Sequence, residues 1–183
     1  MKMKKFHQLA AAATLAFASL AAIANPVAVD VSGAQSINLQ GEAGNVVWLI
    51  EVGANAVLNS LNWAVQLEAF APSQLAEMQV SFGDSSGSNL LTLTPGAADF
   101  FSGTGSYSGS VDLSAFGVSV GADGLLRIEF SEAFKDFASG VAEGRWVSGT
   151  LTFGVGGGTL PEPASVALVL VGLGLVVRAR RGR

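Results

Sequence analysis

Histidine and cysteine, on which most nucleophilic and zinc chemistry depends, are almost missing from this chain: it has no cysteine and one histidine, His7. Beyond His7 the sequence cannot build a Ser-His-Asp or Cys-His pair, nor a zinc site ligated by histidine or thiolate. Carboxylate chemistry remains. Glu129 and Glu132, with Asp136 nearby, suggest a glycosidase pair, which needs two carboxyls roughly 5 to 9.5 Å apart across a cleft. Spacing in sequence does not supply that cleft, and an exposed acidic edge is the expected arrangement. Asp84-Ser85-Ser86-Gly87-Ser88-Asn89 offers oxygen ligands and a glycine in a tight loop, as calcium requires. It lacks the several carboxylates and closing glutamate of the helical calcium loop, so a polar hairpin loop is expected. Trp48, Trp63, Trp146 and Tyr107 are candidates for sugar stacking, but tryptophan in a sandwich is usually core. Trp146 alternates out of phase with Val147, Leu151 and Phe153, so it is the ring expected at the surface and the candidate ligand contact. Thr92/Thr94 and Thr150/Thr152 each share a strand face, an arrangement ordinary for solvent-facing strands.

The elements that must position these residues read as strands. Apolar residues alternate with period two, and glycine, serine, threonine and asparagine recur every few positions. In Leu61–Glu68, Leu61, Trp63, Val65 and Leu67 face inward. Met78, Val80 and Phe82 form a second alternation, joined through the Asp84 loop to Leu91–Thr94 as a hairpin. Leu126, Ile128 and Phe130 alternate with Arg127 and Glu129, and Val147, Leu151 and Phe153 mark a last strand. Val46–Ile50 is a continuous apolar run, expected to be buried on both faces, and Val29–Val31 starts the sheet. Short helical turns fit Ser73–Met78 and Glu132–Phe137. The fold class expected is all-β, an antiparallel two-sheet sandwich of jelly-roll type, with a closed barrel as the alternative.

Both ends of the chain differ from this body. Lys2, Lys4 and Lys5 precede an apolar stretch from Leu9 to Ile23 that closes with Ala22-Ile23-Ala24, the small-x-small pattern cut by signal peptidase. Residues 1–24 are therefore expected as a signal peptide handled by the Sec machinery, with the mature chain starting at Asn25. At the other end, Pro161-Glu162-Pro163 precedes an apolar run from Ala164 to Val177 and then Arg178, Arg180, Arg181 and Arg183. As a helix the run spans roughly 21 Å against a hydrocarbon core of roughly 30 Å, which makes a poor permanent anchor. The arginines hold their end on the cytoplasmic side, leaving the body outside. The two prolines keep Glu162 extended, a form open to a protease. The expected organisation is 25–153 as the β-sandwich, 154–160 as a glycine-rich linker and 161–183 as a sorting signal. Between Asn25 and Leu160 stand 13 acids and three bases, so nucleic acid is not an expected partner.

The triplet, the short apolar run and the terminal arginines resemble the PEP-CTERM sorting signal of Gram-negative bacteria, a tail also labelled an ice-binding protein C-terminal domain. That resemblance covers about the last two dozen residues. It implies recognition by exosortase, an integral-membrane cysteine enzyme, with cleavage near the triplet and delivery to the cell surface or medium after transient membrane anchoring. Gly124–Phe130, with Phe134, Asp136, Phe137 and Trp146–Phe153, also resembles the closing half of sandwich domains in exported proteins with such tails. The expected function is a structural protein of the surface or exopolysaccharide matrix, with no catalytic residues, cofactor or resident metal. A carbohydrate-binding module using Trp146, or a carboxylate-dependent hydrolase, are the alternatives.

Overall fold

In the computed structural model, which describes residues 26–157, nine strands form two antiparallel sheets. They are β1 (Val27–Asp30), β2 (Gln35–Ser36), β3 (Val46–Glu51), β4 (Val57–Ala69), β5 (Met78–Asp84), β6 (Leu90–Leu93), β7 (Gly103–Asp112), β8 (Leu125–Glu132) and β9 (Gly144–Gly156). One sheet runs β1-β9-β4-β7, with β2 paired to β9, and the other runs β3-β8-β5-β6. The only helical pieces among the described residues are 3-10 turns at Leu75–Glu77 and Ser114–Phe116. The signal and sorting segments, with their expected helices, lie outside the described residues.

The sheets face each other because the alternating apolar residues of each have nowhere else to leave water. Leu58, Leu61 and Leu67 of β4 and Leu126, Ile128 and Phe130 of β8 are fully buried. Each contributes about 1.5–3 kcal/mol by leaving water. Phe82 meets Phe153 across the layers with ring centroids 5.2 Å apart, and Phe130 meets Trp146 at the same separation, both edge to face. The alternations expected on β4, β5 and β8 are present, with Trp63 half-buried among fully buried neighbours.

Several elements depart from expectation. β3 is an edge strand with one face toward solvent: Leu49 is 52% exposed and Val47 37%. The stretch from Glu132 is the end of β8 and then a loop, because Glu132 still pairs with Met78. The segment expected as linker begins as strand, since β9 continues to Gly156 and Val155 is buried opposite Leu58. β7 carries only Tyr107 and Val111 as large apolar residues and has no hydrophobic alternation strong enough to announce it, yet it pairs with β4 along ten residues. Glycine is what its inward face needs: a Cβ at Gly109 would collide with the Trp63 ring, and one at Gly105 with Tyr107.

The register places both ends of the described chain together. Val27 pairs with Phe153, and Gly156 pairs with Val57. The opposite end gathers Ala69, Gly103, Gly144, Met78 and Glu132 with the loops that join them.

Candidate functional site

Trp146, expected at the surface, is fully buried. The cause is a β-bulge: Leu67 pairs with Trp146 while Gln66 pairs with Ser148, so Val147 is an extra residue. A one-residue insertion reverses the alternation, which sends Trp146 to the same side as Leu151 and Phe153. Gly149, at φ +124°, sits just beyond the bulge, and a Cβ there would strike the carbonyl of Ala64. Trp146 therefore cannot stack on a sugar. Trp48 packs edge to face on Phe130, and Tyr107 donates to Asp99 at 2.6 Å. Burial and that carboxylate both push the Tyr107 phenol upward.

The acidic edge is not exposed either. Glu129 and Glu132 are each 1% exposed and, three residues apart on β8, project to opposite faces, so they do not face one another across a cleft. Burial opposes ionisation of Glu129, but Arg127 at 2.8 Å, Asn45 at 2.8 Å and the Gly41 amide at 2.7 Å hold it below the ordinary carboxyl value. Its work is to clamp the Leu39–Asn45 loop over the outer face of β8. Asp136 is exposed in the loop that follows.

The Asp84 loop is a polar hairpin loop, as expected. Asp84 accepts from the hydroxyl of Ser86 and, at 2.8 Å, from the amide of Asn89. The structure adds Asp123, whose carboxylate accepts from Ser85 at 2.5 Å. The two acids line an open hollow of about 460 Å³ at the end where Val27 and Gly156 lie. Hydrogen bonds from Ser86 and Ser85 lower Asp84 and Asp123 respectively. Among the described residues no three acidic or histidine side chains are placed to hold a metal ion.

What tertiary structure assembles, and sequence reading missed, is the outer face of the β1-β9-β4-β7 sheet. The register aligns Ser110, Asn62 and Thr152 in one cross-strand row, Ser108, Ala64 and Thr150 in the next, and Ser106, Gln66 and Ser148 in a third. These small hydroxyl and amide side chains border a shallow hollow of about 410 Å³ over Ala64, Ser106, Ser108 and Ser148. Glu68 and Arg145 form an ion pair at its margin, at 2.6 Å. The signal in the sequence was the run Ser106, Ser108, Ser110 at period two, visible only once β7 is recognised as a strand. Thr150 and Thr152 belong to this face, whereas Thr92 lies on the other sheet and bonds to Ser81 at 2.8 Å.

Fold and surface thus define an all-β, sandwich-like protein with one broad polar sheet face. No family model matches the chain, and no curated protein matches it. A solved structure described as the infectious bursal disease virus VP2 subviral particle is similar at 11% identity over 72% of this chain, with a TM-score of 0.32. The alignment spans 32% of that structure's chain.

Proposed function

We propose that this is an exported, non-enzymatic protein of the cell surface or exopolysaccharide matrix, handled first by signal peptidase and the Sec machinery and then by exosortase. Its strand order, with eight strands in two sheets and β2 as an addition, is read as a jelly roll. The observation that carries the proposal is the joint placement of the first and last described strand residues: Val27 and Gly156 lie at one end of the body. A tail of the PEP-CTERM kind can then hold the membrane while the whole body stands clear, and cutting near Pro161-Glu162-Pro163 falls beyond the end of β9 at Gly156. Mass spectrometry of the extracellular protein, from cells with and without exosortase, tests this. The expected mature chain starts at Asn25 and lacks Arg178, Arg180, Arg181 and Arg183; an intact Arg183 end on extracellular protein would refute the processing.

A second reading is favoured by the hydroxyl-lined sheet face: retention on matrix glycan through Gln66, Ser106, Ser108 and Ser148. It replaces Trp146 as the contact. Neutral sugar hydroxyls can bond to such a face without a charged group being desolvated. Retention on matrix glycan that is unchanged in Ser108→Arg would remove this reading.

A further inference from the structure

The end of the sandwich away from Val27 and Gly156 holds a buried acid that the proposed surface role does not use. Glu132 pairs across the strands with fully buried Met78, so its carboxyl points between the sheets. Neither carboxyl oxygen has a hydrogen-bond partner among the described residues. From β2, the hydroxyl of Ser36 is beside it but donates to the carbonyl of Ser131 at 2.6 Å. The charged groups facing it are Glu143, Glu77 and Lys135. Lys135 is committed to Glu143 at 2.6 Å and to the carbonyls of Ile37 and Val141.

Each flanking carboxylate holds a loop. Glu143 receives the amides of Asp136 at 3.0 Å and Phe137 at 2.9 Å, which ties down residues 133–142. Glu77 receives the Ser73 hydroxyl at 3.1 Å and the Gln74 amide at 2.8 Å, and its own carbonyl accepts from the amide of Ala133 at 2.7 Å. A charge on Glu132 therefore repels the two groups on which both loops hang, and the one cation nearby is already paired.

We propose that the segment Ala133–Ala142 is a pH-sensitive flap whose closed state keeps a proton on Glu132 and whose opening releases that proton to water. Burial first, and then the neighbouring acids, raise this carboxyl to about 8 from an ordinary 4.5. Between those values opening becomes about tenfold more favourable per pH unit, and above the upper one it no longer changes. The flap carries Phe134, 59% exposed, and Val141, 47% exposed, so opening rearranges an apolar surface at the far end of the body.

Amide hydrogen exchange on the full chain in detergent micelles, corrected for the intrinsic base-catalysed rate, tests the flap. Protection at Asp136 and Phe137 should fall about a hundredfold or more between pH 5 and pH 8 and then level off, with Glu132→Gln flat to within about twofold. A flat wild-type profile, or the same fall in Glu132→Gln, overturns the proposal. If Glu132→Gln does not fold, the carbon-13 shift of the Glu132 carboxyl decides: a midpoint matching the exchange profile supports the flap, and one in the ordinary carboxyl range refutes it.

Discussion

Glu132 and Glu143 lie at the same end of the molecule, both out of contact with water, yet pH acts on them in opposite directions. Glu143 is desolvated, but Lys135 and the amides of Phe137 and Asp136 more than offset this and hold it below the ordinary value. Its stabilising effect is complete above the unfolded carboxyl value and is lost as pH falls through the lowered one. Glu132 has no such partners, and its carboxyl is raised to about 8. Its stabilising effect is complete below about 4.5 and is lost as pH rises through 8, a change of up to about 5 kcal/mol. Urea unfolding should therefore show greatest stability near pH 5 and a clear decline by pH 8.5, with Glu132→Gln removing most of the decline. A second prediction at this scale concerns Trp146. Trp146→Ala should cost about 3–5 kcal/mol in unfolding free energy, because it empties space against Phe130. At temperatures where the variant stays folded, glycan retention should be unchanged.

At the scale of the element, the bulge in β9 is the device on which the core depends. Were Val147 paired as an ordinary strand residue, Trp146 would fall on the same polar face as Ser148 and Thr150 instead of in the core. Gly149→Ala tests the support of that bulge: the left-handed φ and the contact with Ala64 predict a loss above about 1 kcal/mol, read as a lower urea midpoint at unchanged slope. The inward faces of the strands were legible in the sequence, as the Leu61 to Leu67 and Leu126 to Phe130 alternations show. β3 was not, because an apolar run looks the same whether both faces are covered or one meets solvent on an edge. β7 was not, because its inward side is built from glycines that make room for Trp63 and Tyr107, so the volume that fills its face is encoded on another strand or two residues away. The burial of the two acids of β8 is not legible, because burial of a carboxylate depends on loops that are distant in sequence, Gly41 and Asn45 for Glu129.

Across the described residues, the register separates three regions: Val27, Gly156 and the Asp84–Asp123 hollow at one end, the flap at the other, and the hydroxyl face along the side. If that side face holds glycan, Ser108→Arg and Thr150→Arg should each lower retention on matrix polysaccharide several-fold while shifting the melting temperature by less than about 2 °C, since both residues lie toward solvent and surface changes cost little. The sequence by itself determined the class: period-two alternation with glycine and polar punctuation makes strands, and without histidine or cysteine the body holds no Ser-His-Asp or Cys-His pair. It also carried the expectation of export, since hydropathy and charge at both ends are local properties of consecutive residues. Which of the remaining side chains reach water was decided by tertiary structure. A bulge reverses a face, a loop covers an acid, and a row of serines, threonines and amides forms only when three strands come into register. Such facts depend on pairings between residues up to about a hundred positions apart, which no local pattern records.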